Sequence, residues 1–182
     1  MNDNKPYSPT AEQDFKGIEN VVFDLGGVVI DLARDKSVEH LEAIGLRQAG
    51  ELLDPYVQRG PFLELETGRA TAAEFFDNIR ALIKADGGRD VTDTEIQDAF
   101  NAFLVDLPVE RLKALRELRS RGFRVFAISN TNPVMFHSWI AEHFRAEGLA
   151  IYDYFDGVVT SFETGCCKPD REIFDTLLRR YG

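Results

Sequence analysis

Hydrophobic positions along this chain fall into two rhythms. Short, unbroken apolar runs occur at "NVVFDL" (20–25), "FRVFAIS" (123–129) and "FDGVVTS" (155–161). Their length and β-branched content predict buried strands. The longer segments repeat every three or four positions instead. "TAAEFFDNIRALIKA" (71–85) places Phe75, Ile79, Leu82 and Ile83 on one side and opens with a Thr71–Glu74 capping box. "TDTEIQDAFNAFL" (92–104) does the same with Ile96, Phe100, Phe103 and Leu104 behind Thr92 and Glu95, and Gly87-Gly88 separates the two. Upstream, "SVEHLEAIGL" and "ELLDPYVQRG" predict two shorter helices, so that 36–106 reads as a small helical bundle.

After that stretch, strands and helices alternate. Pro108 opens "VERLKALRELRSRG", which closes at Gly122, and "PVMFHSWIAEHFRAEG" and "PDREIFDTLLRRYG" follow the second and third apolar runs. This alternation predicts an α/β fold, a parallel, doubly wound sheet with right-handed crossovers. The bundle is an insertion between the first strand and its returning helix. The expected organisation is an arm over 1–17, a core formed by 18–35 with 107–182, and a helical insertion over 36–106.

Composition narrows the function classes. The 182 residues are 44% hydrophobic and 29% charged, sufficient for a core without staples. The net charge is −10, with acidic residues spread along the chain. That argues against nucleic-acid and anionic-membrane partners, which need clustered Lys and Arg. "MNDNKPYSPTAEQDFKGIEN" has no apolar h-region, and no apolar run is long enough to span a bilayer. A cytoplasmic protein is expected. The cysteines, Cys166-Cys167, are adjacent and lack zinc spacing, so they read as loop residues before redox ones.

Candidate chemistry gathers at one end of the expected sheet. Asp24 and Gly26-Gly27 end the first strand, Ser129-Asn130 ends the second, and Lys168-Pro169 follows the third. Ligands of open parallel sheets bind at the carboxyl ends of strands. A carboxylate there faces a crevice, and paired glycines let backbone approach a ligand. A carboxylate, a hydroxyl and an ammonium on one crevice suit phosphoryl transfer, with the carboxylate as nucleophile and the other two on the phosphoryl oxygens. Attack on a dianion needs further neutralisation, normally by Mg²⁺.

"FDLGGVVID", "ISNTN" and "KPDREIF" resemble the first three motifs of the haloacid dehalogenase superfamily, in order and over nearly the whole chain after residue 18. The resemblance implies a Rossmann-like core with an inserted C1-type helical cap, and it is nearest to Mg²⁺-dependent phosphatases of small phosphorylated metabolites of the sugar-phosphate type. It implies Asp24 as nucleophile, Ser129 as phosphoryl ligand and Lys168 as the cation between them, with Asp24 and the Gly26 carbonyl as metal ligands. Gly27 and Asn130 are expected beside the substrate. In "QRGPFLELETGRAT", Glu64, Glu66 and Arg69 fall on an expected cap loop. Arg69 there could bind a substrate anion, against the plainer reading of a solvated loop.

Two departures from the family's pattern stand out. Most phosphatases of the superfamily have an acid two residues after the nucleophile, where this chain has Gly26; Asp31 reads as a turn or cap residue. The acidic fourth motif is not found before Gly182, so the expectation is of a shortened core, one of its three strands left as an unprotected edge through which a homodimer could form. These departures set a second reading beside the enzyme: a non-catalytic, phosphate-binding or regulatory relative. Carbon–halogen hydrolysis ranks third, because that branch usually has an aromatic residue at the position of Gly26. His40, His137 and His143 lack the i, i+4 spacing of a helical metal pair and read as packed or solvated. Phe136, Trp139, Ile140 and Phe144 read as a core stripe.

Overall fold

The computed structural model describes residues 17–54 and 57–182. The expected N-terminal arm therefore lies, all but its last residue, outside the described residues. Three parallel strands form the central sheet in the order β1–β4–β5: β1 (Asn20–Phe23), β4 (Arg124–Ser129) and β5 (Gly157–Thr160). Val22 pairs with Phe126 and Ala127 with Val158, in unbroken parallel register. The three apolar runs are these strands, trimmed at their ends, and β4 between its neighbours is buried from Val125 to Ser129.

Between β1 and β4 the chain leaves the sheet. A second ladder, β2 (Asp31–Leu32) with β3 (Leu104–Asp106), runs antiparallel and closes the stem of the excursion. Above it stand α1 (Arg34–Ala43), α2 (Ala49–Leu52), α3 (Gly60–Glu66), α4 (Ala72–Ala85) and α5 (Asp93–Asn101). Both capping boxes form as the sequence predicts: Thr71 with Glu74 opens α4, and Thr92 with Glu95 opens α5. The apolar faces meet in an aromatic centre where the Phe62 ring lies 5.2 Å from Phe75 and 5.0 Å from Phe100, edge to face.

The structure departs from the sequence reading in three places here. The bundle stretch is not helical to residue 106, because α5 ends at Asn101 and Leu104–Asp106 is strand. The segment expected as a cap loop holds a helix, α3, with Pro61 in its first turn, where a missing N–H costs nothing. Asp31 lies in β2 and not at a turn or cap; Arg111 of α6 (Val109–Ser120) donates to its Oδ1 at 2.7 Å and to the Val29 carbonyl at 3.2 Å, tying the returning helix to the stem.

After β4, α7 (Pro133–Met135) passes through a π-helical turn at Phe136–Ile140 into α8 (Ala141–His143) and a 3₁₀ turn over Phe144–Glu147. Phe136, Ile140 and Phe144 are buried, as the apolar stripe predicts, and Trp139 is partly buried with the His143 ring stacked on it at 3.5 Å. α9 (Ile151–Tyr154) leads to β5, α10 (Ser161–Thr164) follows it, and α11 (Arg171–Tyr181) packs on β5. Among the described residues no helix is long and apolar enough to cross a membrane.

Candidate active site

A cavity of about 450 Å³ opens at the carboxyl ends of the three strands, between the sheet and the helical excursion. Asp24, Leu25 and Gly26 enter it from the end of β1, Ser129–Asn132 from the end of β4, and Cys167–Asp170 from the loop before α11. Phe62, Leu63 and Glu66 of α3 form the opposite wall, and Phe100, Phe103 and Leu104 fill its flank.

The turn after β1 explains the paired glycines. Leu25 O accepts from Val29 N at 2.9 Å and Ile30 N at 2.8 Å, folding the chain back within five residues. Gly27, at φ +74°, takes the left-handed conformation this needs and donates to Ile30 O at 2.8 Å. Gly26 has a different constraint: a Cβ there would come within 3.1 Å of the Leu32 side chain, so the position is close-packed as well as free of functional groups. The turn leaves Asp24 facing the cavity with its side chain 41% exposed.

Lys168 meets Asp24. Its Nζ lies 2.5 Å from Asp24 Oδ2 and donates to the Ile128 carbonyl at 3.1 Å, bridging the ends of β1 and β4. Asn130 sets where that lysine starts: its Oδ1 accepts from Lys168 N at 2.7 Å and its Nδ2 donates to Lys168 O at 3.0 Å. Behind Asn130, Thr131 and Ser161 exchange two hydrogen bonds, Thr131 N to Ser161 Oγ at 3.0 Å and Ser161 Oγ to Thr131 O at 2.8 Å. Asn132 caps α7 by accepting from Met135 N at 3.0 Å. Ser129, the last residue of β4, is buried and lines the cavity.

The expected site residues thus divide. Asp24, Gly26, Ser129, Asn130 and Lys168 share the cavity. Gly27 shapes the turn without lining it. Arg69 does not line it: exposed, it donates to Glu64 at 2.8 and 3.1 Å. The residue to which sequence reasoning gave a place but no role is Glu66, two positions beyond Glu64 and on the wall of the cavity. Burial pushes its carboxyl above the usual range, offset in part by a hydrogen bond from the Cys167 thiol at 3.5 Å and by the Lys168 charge. Cys167 is pushed up to about 12, first by burial and then by Glu66, so it is a protonated donor at neutral pH.

Among the described residues no group of three or more His, Cys, Asp and Glu side chains is placed to hold a metal ion. The carboxyl side chains among the residues lining the cavity are Asp24, Glu66 and Asp170. His137 packs against the Phe136 and Phe162 rings, and His143 lies on Trp139, both outside the cavity lining.

Comparison with known proteins gives the family. The family model of the haloacid dehalogenase-like hydrolases covers residues 18–182. The chain belongs to that family. It is 36% identical over 162 residues, 89% of this chain and 76% of the other, to D-ribitol-5-phosphate phosphatase of Bacteroides thetaiotaomicron. A haloacid dehalogenase-family enzyme from the same organism, solved in complex with magnesium and inorganic phosphate, superposes with a TM-score of 0.80 at 35% identity, over 90% of this chain and 79% of that one. L-2-haloacid dehalogenase from Xanthobacter autotrophicus superposes with a TM-score of 0.52 at 18% identity, over 89% of this chain and 64% of that one, a likeness of fold alone. The protein is a family member with an α/β core and a hydrolase of the haloacid dehalogenase type.

Proposed function

We propose that this hydrolase is a Mg²⁺-dependent phosphomonoesterase of a small phosphorylated sugar or polyol, acting through an aspartyl-phosphate on Asp24. The observation that carries the reading is the Asp24–Lys168 contact of 2.5 Å at the floor of a cavity that Ser129 also lines. The name of the Bacteroides relative supports the substrate class.

In this mechanism the phosphate of the ester sits over Asp24. The Ser129 hydroxyl and the Lys168 ammonium hold its oxygens and offset the charge that builds on them in the transition state. Asp24 attacks phosphorus, the bond to the leaving oxygen breaks, and the phosphoryl group rests on Asp24 until water displaces it. Lys168 thereby pairs with a carboxylate in the free enzyme and bridges carboxylate and phosphoryl group in the complex. Asn130 holds the lysine's backbone from both sides, so the ammonium starts from a fixed point. The helical excursion from α1 to α5 acts as the cap, with α3 lining the space for the leaving group.

Mg²⁺ fits the donors present. It is usually held by one or two carboxylates together with substrate phosphate and water, and not by an all-protein cage. Asp24 and the Gly26 carbonyl would hold it here. Bound, it would neutralise phosphate charge that Lys168 alone leaves unbalanced.

The test is hydrolysis of p-nitrophenyl phosphate by the wild-type chain and by Asp24→Asn, each with Mg²⁺ and with EDTA. Turnover that needs both Mg²⁺ and Asp24 is expected. Phosphate binding without release of nitrophenolate would instead favour the non-catalytic reading.

A further inference from the structure

The leaving oxygen of a phosphate ester needs a proton, and Gly26 cannot give one. The cavity offers three carboxyl side chains, Asp24, Glu66 and Asp170. Asp24 is held by Lys168 at the floor, and Asp170 is an exposed residue just before α11. Glu66 is the third, at the last position of α3, on the wall facing the strand ends.

In-line displacement decides where a proton donor must stand. The attacking and leaving oxygens lie on opposite sides of phosphorus, so attack from Asp24 at the floor drives the leaving group away from the sheet. Of the residues that the helical excursion contributes to the cavity, Phe62 and Leu63 of α3 are apolar and Glu66 is the acid. One Glu66 oxygen, Oε1, accepts from the Cys167 thiol at 3.5 Å, which orients the carboxyl. Other charged groups around it are Lys168 on the same loop as Cys167 and, on its own helix, Glu64, which is taken up by Arg69.

We infer that Glu66 is the general acid–base residue of this site, doing from the helical excursion the work that Gly26 cannot do from the strand end. The inference rests on the phosphomonoesterase reading above. In the first half-reaction the Asp24–phosphorus bond forms, the phosphorus–oxygen bond to the leaving group breaks, and the Glu66 proton goes to the departing oxygen. In the second, the Glu66 carboxylate takes a proton from water as the water oxygen bonds to phosphorus, the bond between the Asp24 oxygen and phosphorus breaks, and inorganic phosphate leaves with the Asp24 carboxylate restored. Burial shifts the carboxyl upward, toward the protonated form that the first step uses.

The readout is dependence on the leaving group. Rapid-quench release of the alcohol is followed for p-nitrophenyl phosphate, phenyl phosphate and D-ribitol 5-phosphate, with wild type, Glu66→Gln and Glu66→Asp, all with Mg²⁺. The expected result is a Glu66→Gln loss that grows as the leaving group becomes more basic. It should be at least about tenfold larger for phenyl than for p-nitrophenyl phosphate and reach ~10²–10⁴-fold on the alkyl ester. Glu66→Asp, which keeps a carboxyl, should show a flatter dependence than Glu66→Gln, and it carries the test if Glu66→Gln does not fold. An equal loss across the series, or none, overturns the assignment. Absence of any Asp24-dependent release in the wild type overturns the underlying phosphatase reading, and the role of Glu66 with it.

Discussion

Asn130 and Lys168 are joined at both ends of a single residue's backbone: the asparagine accepts from Lys168 N at 2.7 Å and donates to Lys168 O at 3.0 Å. The side chain of that lysine then reaches Asp24 at 2.5 Å. The end of β4 therefore governs where the charge from the loop before α11 falls, and the cavity floor depends on a residue that touches neither the nucleophile nor the phosphate in this account.

Asn130→Ala removes both bonds at once. It is expected to lower kcat by roughly ten- to a hundredfold through misplacement of the ammonium, with little change in unfolding temperature. Asn130→Asp keeps the acceptor for Lys168 N and loses the donor to Lys168 O, and should fall between. Steady-state kinetics beside a thermal melt check both. A Tm loss that accounts for the rate loss would refute the positioning role.

Gly68 follows Thr67, which ends α3, with φ +67°, and a Cβ there would stand 2.1 Å from the Phe162 carbonyl oxygen. Gly87, at φ +75°, has nothing within 4 Å. Both Gly→Ala changes place alanine in the left-handed region, at about 1–2 kcal/mol. Only Gly68→Ala must also push α3 away from α10. Denaturant unfolding should show a loss for Gly68→Ala well above that for Gly87→Ala; equal losses would mean the close approach carries no energetic weight.

Cys167 is expected to resist alkylation. With its thiol pushed up to about 12, Cys167 stays overwhelmingly in the unreactive thiol form at pH 8. Mass spectrometry after timed iodoacetamide treatment of the folded protein should find Cys167 far less modified than in the urea-unfolded chain. Equal rates would contradict its burial against Glu66.

The second capping box should mark the acid limb of stability. Glu95 is lowered to about 2, first by its hydrogen bond from Arg89 and then by those from Thr92. A carboxyl lowered on folding stabilises above its unfolded value and loses that contribution as pH falls toward its folded value. The wild-type advantage over Glu95→Gln should therefore be full at pH 6 and shrink between the ordinary carboxyl value of 4.5 and about 2. A constant difference across that range would exclude the linkage.

Much of this was legible in the sequence, and what was not has identifiable causes. The three strands stood out because each is short, apolar and bounded, and their order put Asp24, Ser129 and Lys168 at one end of the sheet. The capping boxes fixed the starts of α4 and α5. α3 was missed because Gly60-Pro61 reads as a break, although proline in a first turn is compatible with a helix. With α3 read as loop, Glu66 had no face and could not be told from Glu64. β2 and β3 are two and three residues long, too short for any period to register. The Asn130 clamp joins residues 38 apart and exists only once the loop before α11 has docked.

The central claim is a covalent bond between Asp24 and phosphorus. It is tested most directly by acid-quenching the Mg²⁺-loaded protein during turnover of p-nitrophenyl phosphate and mapping the phosphoryl group by peptide mass spectrometry. An alkali-labile phosphoryl group is expected on the peptide containing Asp24 and absent in Asp24→Asn. Turnover with no such adduct under single-turnover quench, or turnover that survives in Asp24→Asn, would contradict it.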